Sequence, residues 1–502
     1  MNRKLLIRQI YDTLKSGIWI SCMAVCAVML MVSCSEGADC DETWSSDVRN
    51  AQLASPELTD ECFSTVVNPD GTESVKVTWP IVNGAGGYEY KACIVDDPAN
   101  PVVVAEGSGD RNFFSFEKLE DTKYQVEVRT LGNAASNNTE AKESTVYAYS
   151  TMVPGQIIPA GADIAKFVQD NLLDVNTEQA FELEAGAKYT ISTPIDFGKK
   201  QVTFRGSKVN RPIVTMDVDG ALMTAGGLKV KFINFDCTTC TQKGIIQCSS
   251  VQYPELASDN FADCLPGKCY VLKQPIIIQE CMFKNIPMGL FFTGENAWAV
   301  EDVRVLDCIV QLDNDGTKFG DAAILGTYSG TSYFEGGQSW FGLIRNVTIK
   351  NSTLYNLKDN SKNRVIRFLS NKMSRVYTTD TGSATIENCT FSKTFTDKEF
   401  ANNTPNHAAY TITFNNNICY DTWRLQKFIQ GNCTLNVNVA SNTIWGIKNP
   451  VDATDLTRCA TEEDPLFEGD VLQPLDLTKP NGGVNFKAKG SISSGIGDPR
   501  WR

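Results

Sequence analysis

The chain has 502 residues, with 59 acidic against 46 basic side chains, a net charge of −13 and a single histidine, His407. Such a length exceeds one ordinary core and calls for two or three domains. The acidic balance argues against nucleic acid as a partner, and it leaves any acidic ligand dependent on a local basic patch.

At the N-terminus Arg3, Lys4, Arg8 and Lys15 precede an apolar run from Gly17 to Val32 that closes in Met31-Val32-Ser33-Cys34. The run is short for a bilayer span, and its small-residue-then-cysteine ending fits processing better, so residues 1–33 are predicted to be a signal peptide and Cys34 the lipidated first residue of the mature protein. Ser35, Glu36, Asp39, Asp41 and Glu42 follow in a linker over 34–55. They resemble the acidic export signal of Bacteroidetes surface lipoproteins. The resemblance implies an outer-membrane, cell-surface location, with lipid as one partner through Cys34. Of the 17 cysteines, the leader holds Cys22 and Cys26 and the anchor is Cys34. The remainder is too thinly spread for a disulfide-stapled fold. Cys237 and Cys240 form a CxxC pair, but the sole histidine is remote, so disulfide or buried thiol is expected in preference to a metal site.

From 56 to 154 short alternating strands separated by turn residues are predicted over 74–79, 88–94, 112–116, 124–130 and 145–151, an antiparallel β-sandwich. Trp79 before Pro80, Tyr88 and Tyr90 in the next strand, and Leu119 five residues before Tyr124 resemble a fibronectin type III domain with its tyrosine corner. That resemblance implies a spacer whose aromatic residues are core.

Pro159 to Gly161 mark a junction, after which Asp163 is placed to cap a short helix carrying Ile164, Phe167, Val168 and Leu172. Residues 155–502 then repeat a phrase in which an apolar residue stands two before a polar one: Phe232-Ile233-Asn234, Ile278-Gln279-Glu280, Val305-Leu306-Asp307, Ile349-Lys350-Asn351, Ile386-Glu387-Asn388, Phe414-Asn415-Asn416 and Val439-Ala440-Ser441. Recurrence at one or two coil lengths predicts a solenoid, with the polar position at a turn that tolerates left-handed backbone. The stretch resembles the pectate-lyase-like right-handed parallel β-helix. In particular it resembles an uncharacterised family of gut Bacteroidetes surface lipoproteins found with pectin-degradation systems, whose terminus is similar to Gly490 to Trp501 here. The predicted fold class is therefore all-β, an N-terminal β-sandwich followed by a right-handed parallel β-helix.

The chemistry is less legible. A β-helix lyase of the pectate type needs calcium held by acidic residues together with an Arg or Lys base. The best basic segment holds Lys358, Lys362, Arg364, Arg367, Lys372 and Arg375. Arg364 and Arg367 are three apart and leave a regular strand on opposite faces, so a shared site requires a bulge or turn. Asp313-Asn314-Asp315-Gly316 with Asp321 lacks EF-hand spacing and reads as a turn. Trp423, Arg424 and Lys427 offer an aromatic ring beside two cations, suited to stacking on a sugar and pairing with its carboxylate or equally to a coil rim. Gly326 to Gly342 brings Tyr333 and Trp340 into a glycine-rich insertion, a sugar platform or a loop folded back on the coils. His407 has no nucleophile or carboxylate nearby in sequence.

The expectation is a surface lipoprotein that binds complex polysaccharide, pectic by resemblance, through Trp340, Tyr333, Trp423, Arg424, Lys427, Arg364 and Arg367, and that passes it to a glycan-uptake complex. No cofactor or metal is expected. The alternative is a polysaccharide lyase acting on uronate-containing glycan, the case in which calcium enters.

Overall fold

The computed structural model describes residues 48–69, 72–257, 269–294, 297–314, 323–326, 343–359, 363–368, 373–375, 377–402, 404–423, 425, 427–429, 431–446 and 453–502. The chain divides into two compact units between Met152 and Val153.

In the first unit seven strands form two antiparallel sheets. They are β1 (Phe63–Val67), β2 (Glu73–Thr78), β3 (Gly87–Ile94), β4 (Val102–Gly109), β5 (Phe113–Glu117), β6 (Lys123–Leu131) and β7 (Thr145–Ser150), arranged as β1-β2-β5 and β4-β3-β6-β7. Alternate residues such as Val75 and Val77, and Tyr124, Val126 and Val128, turn inward from opposing sheets, as period-two patterning requires. Trp79 and Tyr88 meet edge to face at 5.3 Å and Tyr90 stacks on Phe114 at 4.3 Å, so these rings are core. The Tyr124 hydroxyl accepts the Leu119 N–H at 2.9 Å, which is the tyrosine corner. Strands β1 and β4 escaped sequence reading because most of their residues are exposed and no alternation marks them.

The second unit is a parallel β-helix. Its described coils contribute to an eleven-strand, a ten-strand and a seven-strand sheet, each parallel and nearly in register. Asp163 accepts the Lys166 N–H and caps α1 (Ile164–Asn171), which lays Ile164 and Val168 against the core of the first coils. One inward column of the eleven-strand sheet runs Phe204, Val230, Ile278, Val305, Ile349, Ile386, Phe414, each the register partner of the next. Burying each such side chain is worth about 2 kcal/mol, and it is available only when a neighbouring coil lies on top.

The turn from the eleven-strand to the ten-strand sheet is the recurrent phrase. Glu280, Asp307, Asn351, Asn388 and Asn416 occupy the left-handed region at φ 49 to 57°. Glu280 N–H reaches the Leu306 carbonyl at 2.9 Å, Asp307 N–H reaches Lys350 at 3.0 Å, Asn351 N–H reaches Glu387 at 3.1 Å and Asn388 N–H reaches Asn415 at 3.1 Å. Five of the seven predicted positions thus stand in one column. The terminal two do not. The first coil places Phe232 at the left-handed position (φ 59°) and Asn234 two residues further, inside the ten-strand sheet, while Ser441 ends a short 3-10 turn.

Immediately behind this column runs a buried ladder, Cys281, Cys308, Ser352, Cys389, Asn417 and Asn442. Ser352 Oγ accepts the Cys308 N–H, Asn417 Oδ1 accepts the Cys389 N–H and Asn442 Oδ1 accepts the Asn417 N–H, each at 3.0 Å. Where cysteine stands, its thiol donates back to its own coil, as Cys308 does to the Leu306 carbonyl at 3.2 Å. Burial pushes the Cys281 thiol up to about 12, and it pushes Cys308 and Cys389 up as well. These are inert, space-filling thiols. Cys237 and Cys240 are also free and buried, whereas Cys269 is disulfide-bonded.

The C-terminal segment lies across the outer face of the ten-strand sheet. Leu475, Leu477, Val484, Phe486 and Trp501 pack on Met282, Ile309 and Tyr355. Its last residues grip the turn column directly. Gly497 N–H bonds the Asn416 carbonyl at 2.8 Å, Arg500 donates to the Asn351 carbonyl at 2.5 Å and Arg502 donates to Asn388 Oδ1 at 2.8 Å. Thr353 Oγ1 donates to Asp498 Oδ2 and accepts the Trp501 indole N–H, both at 2.7 Å. Glu463 anchors the near end of this clasp. Burial raises its carboxyl, but donation from the Ser491 and Ser493 hydroxyls and the Ile492 and Ser493 N–H groups outweighs that and holds it at about 2.

Asn417→Ala strands the buried Cys389 N–H and Ile386 carbonyl, so denaturant unfolding of the β-helix should show a loss of about 3 kcal/mol, against about 1 kcal/mol for Asn388→Ala, which loses a residue tolerant of left-handed backbone. The stabilisation from Glu463 is fully present above its ordinary value of 4.5 and is lost as pH falls toward 2. Protease release of the C-terminal clasp should therefore rise across that interval, and Glu463→Gln should remove the step.

Candidate functional site

The seven-strand sheet carries the cations that sequence reading singled out. Its strand Arg364–Arg367 pairs with Ala323–Gly326 on one side and Ala401–Asn402 on the other. The N–H groups of Val365 and Ile366 both reach the Phe400 carbonyl, at 2.9 and 3.1 Å, and both side chains are fully buried in the core. This is the bulge that the three-residue spacing demanded. With two consecutive residues turned inward, Arg364 and Arg367 leave the strand on the same outer side.

Arg364 Nη2 lies 3.2 Å from Glu399 Oε2, and Lys427 Nζ lies 3.0 Å from Glu399 Oε1, so one carboxylate bridges cations from two further points along the solenoid. Arg364 is 9% exposed at its side chain and Lys427 is 55% exposed, which places one end of the bridge in protein and the other in water. Burial lowers the Arg364 pKa against the opposing pull of Glu399, and neighbouring Arg367 adds to the lowering; Arg367 is itself lowered by burial. Burial raises Glu399, but its own backbone N–H together with Lys427 and Arg364 outweighs this and keeps the carboxyl below its usual range. Asn402, the register partner of Arg367, has a buried Oδ1 with no hydrogen-bond partner. Further along the same sheet Lys243 stands over the Phe292 ring at 5.7 Å. A sheet face in a chain of net charge −13 thus concentrates guanidinium and ammonium groups.

The other predicted residues separate. Trp423 is half-buried and packs against the core, which makes it a coil residue instead of an open platform. Tyr333, Trp340, Arg424, Lys362, Lys372 and the anchor Cys34 lie outside the described residues. So do Asp315, Gly316 and Asp321 of the acidic turn, while Asn314 is buried against Asn356 and Asn363, and Asp313 pairs with Lys358 at 3.4 Å. His407 is exposed and its Nδ1 accepts the Ala409 N–H, a local turn contact. Among the described residues no group of three or more His, Cys, Asp or Glu side chains converges.

Sequence reading missed Glu399, Asn402 and the Lys243–Phe292 contact. Glu399 follows Arg364 by 35 residues and precedes Lys427 by 28, both coil-length intervals, so applying the solenoid period to charged residues would have aligned them.

Two families match the chain, each described only as a domain of unknown function, one over residues 14–192 and the other (DUF4957) over residues 187–357. No curated protein matches it. Among solved structures it is similar to the fn3 domain of the human collagen alpha-1(XX) chain, at 18% identity over 22% of this chain and 97% of that one, with a TM-score of 0.16. It is also similar to the PL6 family alginate lyase AlyGC, at 12% identity over 63% of this chain and 45% of that one, with a TM-score of 0.27. A third likeness is to pectate lyase PelI from Erwinia chrysanthemi in complex with tetragalacturonic acid, at 10% identity over 76% of this chain and 89% of that one, with a TM-score of 0.22.

Glu399→Ala should cost about 3 kcal/mol in denaturant unfolding, because Arg364 then loses the carboxylate beside its buried guanidinium. Lys427→Ala, removing the exposed arm, should cost less than about 1 kcal/mol.

Proposed function

We propose that the β-helix binds carboxylate-bearing polysaccharide along its seven-strand sheet, on a chain anchored to the outer membrane at the cell surface through lipid on Cys34. The observation that carries this reading is the pairing of Arg364 and Lys427 about Glu399, with Arg367 beside Arg364. An acidic chain repels polyanions at long range, so a concentrated basic face is what such a ligand requires. Guanidinium groups pair with carboxylates in a planar, two-bonded geometry that a neutral glycan cannot satisfy. Retention of the ectodomain on an affinity gel tests this. The parent should be retarded by polyuronate and pass a neutral glycan unretarded, and Arg367→Ala/Lys427→Ala should lose most of the retardation. Equal mobility of parent and variant in polyuronate would refute the reading. Radiolabelled palmitate should enter the parent in cells and fail to enter Cys34→Ala.

A second reading, a polysaccharide lyase, is favoured by one observation, the burial that lowers both Arg364 and Arg367 and so eases loss of a guanidinium proton to serve as base. Ultraviolet absorbance separates the two, since only a lyase generates an unsaturated product. In the binding reading the polysaccharide is held for transfer to an uptake complex.

A further inference from the structure

The outer face of the eleven-strand sheet changes character along the solenoid. In earlier coils its outward positions carry charge, as in Lys229, paired with Glu178, and Arg304, paired with Asp302. Over the last four coils, whose strands are Leu343–Lys350, Gly382–Glu387, Tyr410–Asn415 and Thr434–Val437, two outward columns carry none. One column runs Asn346, Ser383, Thr411, Thr434 and the other Thr348, Thr385, Thr413, Asn436, each residue the register partner of the next. Val347, Ala384 and Ile412 lie between the columns and are fully buried in the core, so both columns face away from it. Every member is half-buried or exposed. The flanks are neutralised, with Lys350 on Glu387 at 2.8 Å at one side and Arg345 on Glu301 at 2.8 Å at the other.

Internal hydrogen bonds use only part of this grid. Asn346 is consumed, since its Nδ2 donates to the Glu301 carbonyl at 3.0 Å and its Oδ1 accepts the Ser383 hydroxyl at 3.1 Å. Thr434 donates to the Ala408 carbonyl at 2.8 Å and Thr413 Oγ1 lies 3.5 Å from Asn436 Nδ2, so the first keeps its capacity to accept and the second its capacity to donate. The hydroxyls of Thr348, Thr385 and Thr411, in three successive coils, bond to no partner among the described residues. A branched Cβ restricts χ1, so these hydroxyls are held in place before any ligand arrives. Neighbouring strands lie about 4.8 Å apart and alternate residues about 6.7 Å apart along a strand, so the hydroxyls form a regular lattice.

The chemistry of the face selects its partner. Nucleic acid and acidic glycan require cations, and neither column has any. Protein partners are anchored by Trp, Tyr or Arg, and neither column supplies one. A hydroxyl both donates and accepts, as the hydroxyls of a sugar do. Each such bond nets little against water, so a soluble chain that must also be ordered gains nothing from a few of them. A polysaccharide whose chains are already fixed in a fibre bears no such cost and presents a hydroxyl lattice of its own.

We infer that this face adheres to ordered, neutral polysaccharide, with the hydroxyls of Thr348, Thr385, Thr411 and Thr413 meeting those of the fibre surface. The inference is independent of the basic residues on the seven-strand sheet, and it is consistent with a soluble neutral glycan passing the chain unretarded.

Depletion from solution by microcrystalline cellulose tests it, with the protein left in the supernatant measured against the cellulose added. The parent should be depleted, and added salt should leave depletion unchanged, because no charge takes part. Thr348→Val/Thr385→Val/Thr411→Val keeps shape and strand propensity while removing three hydroxyls, so affinity should fall about tenfold or more. Thr385→Lys, which sets a long charged side chain on the grid, should weaken depletion in the same direction. Arg367→Ala/Lys427→Ala should be depleted as the parent is, which separates this face from the uronate reading. No depletion of the parent, undiminished depletion of the threonine variants, or loss of depletion in the arginine–lysine variant or in salt would overturn the inference.

Discussion

The β-helix depends on a turn that only a few residues tolerate. Each such coil reverses from one sheet to the next through a single left-handed residue whose N–H lands on the coil above; Glu280, Asp307, Asn351 and Asn388 reach a backbone carbonyl there and Asn416 reaches the Ser441 hydroxyl. Because that hydrogen bond fixes the vertical register, every inward column is fixed with it. Isoleucine then meets isoleucine or valine, and the outward columns become continuous faces on which charges from successive coils share a surface. Where the turn is filled by Phe232 the ring is buried under Lys208, and the polar residue is displaced into a sheet.

The solenoid was legible because its determinant is local and periodic. An apolar residue two before a polar one, at coil-length intervals, is a pattern one sequence can display, and five of seven positions obey it. The tyrosine corner was legible for the same reason, since Leu119 and Tyr124 lie five apart. The site was only partly legible. Arg364 and Arg367 stood out as a cluster, but their common side depends on the bulge at Val365 and Ile366, which arises from pairing with Phe400 in the next coil and leaves no mark in the strand itself. Trp423 read equally as a sugar platform or a coil rim because burial is decided by neighbours, and its neighbour is the core. Asn234 looked like a turn residue because the phrase repeats in composition even where it slips in position.

Charge is organised in two regimes. Across the eleven-strand sheet ion pairs such as Arg345 with Glu301 and Lys350 with Glu387 cancel between adjacent coils, each contributing little at the surface. On the seven-strand sheet Arg364 and Lys427 instead share the carboxylate of Glu399, with Arg367 beside Arg364. Among the described residues an acidic chain thus presents neutralised flanks and a compact basic zone on the seven-strand sheet, so that attraction of an anion there is short-ranged.

The C-terminal clasp has a consequence for how the protein is made. A solenoid held only by neighbours could settle coil by coil while still emerging, each turn secure once the following one arrived. Here residues 491–502 reach back to Thr353, Asn388 and Asn416, and Leu477 touches Asn234 near the opposite end, so a late segment stitches together turns laid down long before it. Coils far apart along the chain therefore share one fastening, and loosening it at Glu463 weakens early and late turns together.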